Sequence, residues 1–267
     1  MLFLYAHPDD ESFGHGGTIA KYAAEGTRIW LACATRGEAG RRRGSPPFCT
    51  PEELAGVRAR ELEAACRELG VERLTFLDLP DKGVATSPAR PRAVEQTAAL
   101  IDELRPQVVV GFAPDGSLSP HVDHIAMHYL AKEALARAGH RPERYYYVTF
   151  PHKLAPLVAC LFPSAAGYAL ARIRVSATPG GGDGSGSGGG GGKTRGEDYR
   201  ERRLAALRCH LTQVQQEAWP WLPDREAVGR LAEEEWYLLS EDWYQGPSGA
   251  PTADLDDLWA DLPDLTR

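Results

Sequence analysis

Hydrophobic and polar positions alternate along the chain in two distinct rhythms. Short apolar runs at residues 2–6 ("LFLYA"), 28–35 ("RIWLACAT"), 74–79 ("LTFLDL") and 107–112 ("QVVVGF") are rich in β-branched and aromatic residues and run into turn-forming or polar ones, which predicts buried strands. Residues 144–150 ("RYYYVTF") would supply a fifth. Between them, residues 18–25, 51–69 ("PEELAGVRARELEAACREL"), 91–104 and 125–138 carry apolar side chains at helical spacing. Gly26 and Gly70 stand where the first two helices should end, as C-cap glycines. Strands alternating with helices imply right-handed βαβ crossovers. The predicted fold class is therefore α/β: a Rossmann-like, mostly parallel sheet flanked by helices, with a less regular C-terminal part.

The pattern breaks at "TPGGGDGSGSGGGGGKTRG", residues 178–196, whose composition cannot form a packed element and predicts a flexible surface loop. The following "EDYRERRLAALRCHLTQVQQEA" reads as a helix, and the segment containing "EEEWYLLSEDWY" is too irregular to assign. This divides the chain into a catalytic core over residues 1–178, the Gly-rich loop over 179–196, and a part over 197–267 that completes the same domain.

Composition narrows the class of protein. At 267 residues and 43% hydrophobic, the chain can bury a sizeable core, and a net charge of −7 argues against a broad nucleic-acid or anionic-membrane surface. A small-molecule substrate is expected, with no nucleic-acid partner and no membrane span; homo-oligomerisation is left open. Because the first motif begins at residue 7, no leader is expected before it and a cytoplasmic location is predicted. Cys33, Cys49, Cys66, Cys160 and Cys209 are odd in number, scattered, and form no CxxC pair, so neither a disulfide framework nor a thiolate zinc site is indicated.

Candidate chemistry lies where strands end. The first strand runs directly into "HPDDE", residues 7–11, and the fourth is followed by "PHVDHIAMH", residues 120–128. In an open parallel sheet both sites face the crevice at the carboxyl edge. His7 and Asp10 from the first loop and His124 from the second would make a site of two histidines and one carboxylate, leaving positions open for water and substrate. Gly14, Gly16 and Gly17 would let the backbone turn tightly before the next helix. Their spacing is not GxGxxG, and a pyrophosphate would meet Asp9, Asp10 and Glu11, which weighs against a nucleotide-binding protein.

"AHPDDE" and "HVDH" resemble the two signature motifs of the LmbE-like or PIG-L family of zinc-dependent N-deacetylases acting on N-acetylglucosamine conjugates. "ATRGEAG" (residues 34–40), "RARELEAACRELGV" (58–71) and "LAALRCHLTQ" (204–213) follow in the family's order, while Val122 replaces a common proline and the Gly-rich insert is not a family feature. The resemblance implies that His7, Asp10 and His124 bind Zn²⁺, with another divalent ion such as Fe²⁺ as the alternative, and that Asp9 is the general base. His121, if protonated, would stabilise the oxyanion, and Asp123 would orient it and favour its imidazolium; otherwise both belong to a helix N-cap. By similarity Arg58 reaches the substrate, or is a solvated helix residue. Arg36 and Glu38 shape the pocket or stabilise a turn, and "GRRRGSPPF" (40–48) contacts an anionic aglycone or is a solvated loop. Asp81, Lys82 and Asp115 lie at the same edge. The implied reaction is removal of an N-acetyl group from an amino-sugar conjugate; an amidase of a larger thiol-sugar conjugate, a nucleotide-binding protein and a non-catalytic sugar-binding protein are the alternatives.

Overall fold

The computed structural model describes residues 1–44, 46–117, 120–149, 170–175, 197–214 and 234–240. The Gly-rich run and most of the C-terminal segment lie outside the described residues. Strand β1 (Leu2–Tyr5) lies mid-sheet, paired in parallel with β2 (Trp30–Cys33) on one side and β4 (Val108–Gly111) on the other. β3 (Arg73–Phe76) and β5 (Arg144–Thr149) extend the parallel sheet outward. Every residue of β1, β2 and β4 is buried, because helices cover both faces; that is why these strands are continuous apolar runs rather than alternating ones. β3, at the edge, is partly exposed.

Helices α1 (Asp10–Gly14) and α2 (Gly16–Ala24) follow β1, α3 (Leu54–Leu69) precedes β3, α4 (Arg90–Leu104) precedes β4, and α5 (Val122–Arg137) follows it. α2 and α3 pack together, as do α4 and α5. The chain winds outward through β1, β2 and β3 and then crosses back to β4, so right-handed crossovers put these two pairs on opposite faces. The winding reverses between β1 and β4, and the crevice outside their carboxyl ends is the switch point of the sheet.

Local chemistry sets the helix limits. Thr50 and Glu53 form a reciprocal capping box, with Thr50 N donating to Glu53 Oε2 at 2.9 Å and Glu53 N to Thr50 Oγ1 at 3.3 Å; it caps a first tight turn over residues 51–53, closed by Leu54 N on the Pro51 carbonyl at 3.3 Å, and the α-helix proper runs from Leu54. Gly70 ends α3 at φ 79°, where a Cβ would also stand 2.8 Å from that of Ala23. α5 begins three residues earlier than its apolar spacing predicts, because the His121 side chain accepts the Asp123 N–H and caps it.

Two expectations are corrected. Residues 10–14 form a short helix rather than a tight turn, and Gly16 and Gly17 lie inside α2, where they serve packing. A Cβ on Gly17 would meet Val175 Cβ at 2.8 Å and Glu235 Oε1 at 2.9 Å. The segment left unassigned contains a strand, β7 (Glu234–Leu239), antiparallel to β5 and to β6 (Leu170–Arg174), so the sheet reads β3-β2-β1-β4-β5-β7-β6. Helix α6 (Tyr199–Cys209), shorter than its predicted run, packs on α2 and α3.

Candidate metal and active site

The crevice at the switch point holds a cavity of about 220 Å³ lined by His7, Asp9, Asp10, Arg58, Asp81 and His121 among others. β1 delivers the first cluster and the start of α5 the second, so residues more than a hundred positions apart meet. Asp10 begins α1 and folds back on the preceding loop, where its Oδ2 accepts the backbone N–H groups of His7 at 2.8 Å and Ala6 at 3.1 Å. Its Oδ1 lies 3.2 Å from His124 Nε2, and its Oδ2 3.7 Å from His7 Nδ1.

The outer sides of both imidazoles are already committed. His124 Nδ1 is 3.3 Å from the carbonyl of Gly116, which can only accept, so Nδ1 carries a hydrogen and Nε2 is the nitrogen turned to Asp10. His7 Nε2 faces Asp123 Oδ2 at 3.2 Å and Asp81 Oδ1 at 3.3 Å, leaving Nδ1 toward Asp10. Two ring nitrogens facing one carboxylate call for a positive centre between them, a proton on the ring or a bound cation. Burial would lower the His7 pKa, yet the carboxylates of Asp123, Asp81 and Asp10 hold it up to about 10, a further sign that the site demands positive charge. Burial would raise Asp10, but His124 and His7 hold it well below the carboxylate range.

Among the described residues, two sets of three donor groups lie within 4.8 Å of one another, His7–His121–His124 and His7–Asp81–Asp123. Asp10 belongs to neither set. The carboxylates of the second set are occupied in holding His7: Asp123 also accepts Lys82 N at 2.5 Å and Val84 N at 3.1 Å, and Asp81 accepts Ala39 N at 3.0 Å. These bonds outweigh burial and keep both carboxyls low.

Asp9 points elsewhere. Its backbone sits at φ 111°, unusual for a residue with a Cβ, and its Oδ2 accepts from Arg58 Nη2 at 3.0 Å. Burial raises its carboxyl to about 6 against the lowering pull of Arg58. Arg58 is itself buried and also donates to the carbonyls of Pro8 and Gly37, so it clamps the loop as well as lining the cavity.

The arrangement around His121 differs from expectation. Its Nδ1 accepts the backbone N–H of Asp123 at 3.2 Å, while the Asp123 carboxylate, 3.9 Å away, is spent on His7. An Nδ1 that accepts a backbone N–H carries no hydrogen, so Asp123 does not make the ring an imidazolium; burial and the charges on His7 and His124 also lower the His121 pKa. The neutral ring instead carries its hydrogen on Nε2, still a donor.

Arg36 is not among the cavity-lining residues; it pairs with Asp78 at 2.7 Å and lies over the Phe76 ring at 4.4 Å. Glu38 Oε1 accepts Asp81 N at 2.8 Å, tying two loops together, and Asp115 Oδ1 accepts Ser117 N at 3.0 Å, closing a turn. Lys82 lines the cavity; among the described residues of 40–48 only Gly40 does. The N-terminus of α2 is filled from within, since Glu235 accepts Gly17 N at 3.0 Å and Thr18 N at 2.7 Å where a pyrophosphate would sit.

The sequence profile of the PIG-L family, described as GlcNAc-PI de-N-acetylase, matches residues 2–135, half of the chain and all of the cavity-lining residues. The chain belongs to this family. It is an N-deacetylase, a hydrolase of a carbon–nitrogen amide bond, as the family's description and its deacetylase relatives indicate. Among relatives, a 1D-myo-inositol 2-acetamido-2-deoxy-alpha-D-glucopyranoside deacetylase of Mycolicibacterium vanbaalenii is 36% identical over 233 residues, covering 80% of each chain. The protein of the same name from Streptomyces griseus is 33% identical over 301 aligned positions, covering 100% of this chain and 90% of its own. The N,N'-diacetylchitobiose deacetylase of Pyrococcus horikoshii shares the fold, with a TM-score of 0.59 over 90% of this chain and 82% of that one at 22% identity. No helix among the described residues is long and apolar enough to cross a membrane.

Two buried contacts escape sequence reasoning. His210, at the end of α6, reaches Glu11 at 2.7 Å, and Arg203 reaches Glu235 at 3.3 Å. The matching "LAALRCHLTQ" pattern marked the region, but not its partners.

Proposed function

We propose that this deacetylase removes acetate from the 2-acetamido group of a glucosamine joined to an inositol-type aglycone, using a divalent ion, Zn²⁺, held by His7, Asp10 and His124. The named relatives support the sugar, and the carrying observation is the division of two adjacent aspartates: Asp10 sits between two imidazoles while Asp9 turns to Arg58 in the same cavity. The donor set of two imidazoles and one carboxylate suits a borderline cation. When bound, such an ion supplies Lewis-acid polarisation of the acetamide carbonyl and lowers the pKa of water.

The residues around it do the rest. Asp9, with Oδ2 held by Arg58, takes a proton from water on its free oxygen and returns it to the departing amine. His121 donates from Nε2 to the oxygen on which negative charge develops. Asp123 and Asp81 fix the ring of His7, and the Gly116 carbonyl fixes that of His124.

Amine release from a panel of N-acetylated glucosamine conjugates tests this, with the chain depleted of metal and then loaded with one divalent ion at a time. Turnover should need the ion and be highest on the inositol conjugate. Full turnover by metal-free protein sinks the metal assignment, and preference for another aglycone sinks the substrate assignment.

A further inference from the structure

From the buried contacts behind the cavity we infer that Glu11 and His210 are positioning residues that hold the Asp9 backbone in its reactive conformation. The inference rests on Asp9 acting as the base. A residue with a Cβ at φ 111° keeps that conformation only where its surroundings over-determine it. Both peptide groups of Asp9 are tied down. Its N–H donates to Glu11 Oε2 at 3.0 Å, its carbonyl accepts from Ser12 N and Phe13 N at 3.0 Å each, and the preceding carbonyl, that of Pro8, accepts from Arg58. The ties to Glu11 and from Arg58 to the Pro8 carbonyl hold the two edges of one peptide plane, the plane whose orientation sets φ.

Glu11 is wholly buried, and its other oxygen accepts from the Ser12 hydroxyl and from His210 Nε2, the latter at 2.7 Å. His210 is equally buried and comes from 199 residues further along. The turn that carries it is anchored to α3, where Glu61 accepts Thr212 N at 2.8 Å and Thr212 Oγ1 at 2.6 Å. Arg58 lies three residues before Glu61 on the same helix. α3 therefore holds Asp9 twice, directly through Arg58, and indirectly through Glu61, the 210–212 turn, His210 and Glu11. Neither Glu11 nor His210 lines the cavity, so each acts on the reaction indirectly, and the side-chain bond from this pair to the reacting groups' backbone is the one to Asp9 N.

A double-mutant cycle on the metal-loaded enzyme tests this. His210→Leu removes the donor at similar size and should lower kcat roughly tenfold to a hundredfold, the scale of a misplaced catalytic group, with KM and metal content within about twofold of wild type. His210→Gln, which can donate from its amide nitrogen, should recover to within about threefold of wild type. In an Asp9→Asn background the leucine change should have almost no further effect on kcat. Equal kcat losses from His210→Leu in both backgrounds would overturn the positioning role while leaving Asp9 as the base. Near-wild-type turnover by Asp9→Asn alone would overturn the base and this inference together. If His210→Leu does not fold, Glu11→Gln takes its place in the cycle with the same expected outcomes.

Discussion

Arg58→Met separates two roles for this buried arginine, clamp of the Asp9 loop and contact for substrate. Methionine fills the space along α3 but gives up three donations: to Asp9 Oδ2, to the Gly37 carbonyl at 2.9 Å, and to the Pro8 carbonyl. A hydrogen bond to a charged group contributes about 1.5–3 kcal/mol, and each carbonyl left buried and unpaired costs about 1–3 kcal/mol. Water entering from the open cavity satisfies part of this, so a net loss of about 3 kcal/mol is expected, or about 6–12 °C at the ~2–4 °C per kcal/mol of a chain this size. A clamp also predicts a fall in kcat, because Asp9 loses the partner that aims it, with a smaller change in KM. Arg58→Lys should recover little, since one ammonium cannot reach three acceptors spread over a planar fork. Denaturant melts and steady-state kinetics on the same preparations read both effects. Arg58→Met within about 1 kcal/mol of wild type, with KM raised and kcat unchanged, would refute the clamp and return Arg58 to substrate binding.

Asp10→Asn should lower metal content on elemental analysis and activity together, whereas Asp9→Asn should keep the ion and lose about 10²- to 10⁴-fold in kcat; metal retention by Asp10→Asn would contradict the ligand assignment. Gly17→Ala should destabilise by about 1–3 kcal/mol in denaturant, because its Cβ has no space against Val175 and Glu235. Burial raises the Glu235 carboxyl above its ordinary 4.5, so its stabilising share is complete below that value and is lost as pH rises through the higher folded-state value. Glu235→Gln should flatten that slope, and melts across about pH 4 to 8 showing parallel curves for the two proteins would refute it.

Apolar periodicity located all five parallel strands and the longer helices between them, though not the short α1, because strands buried on both faces must be continuous apolar runs and their covering helices must carry an apolar stripe. The ends of those strands, and hence the two His/Asp clusters, were legible for the same reason, and their convergence followed from the handedness of the crossovers. Boundaries moved at helix starts: the first turn of α3 is a tight one closed by Leu54 N on the Pro51 carbonyl, so the α-helix proper begins at Leu54, and His121 advanced α5 by capping it. β7 was not legible, since "EEEWYLLSEDWY" places Glu235 where a strand pattern expects an apolar residue. Its carboxylate is tolerated there only because Gly17 N, Thr18 N and Arg203 meet it. The sequence likewise paired Asp123 with its near neighbour His121, whereas the fold turns that carboxylate to His7. Periodicity reports which face of an element is buried. Which polar group meets which, across distances such as Glu11 to His210 or Gly17 to Glu235, is set by how helices and strands dock, and only the tertiary structure decided it.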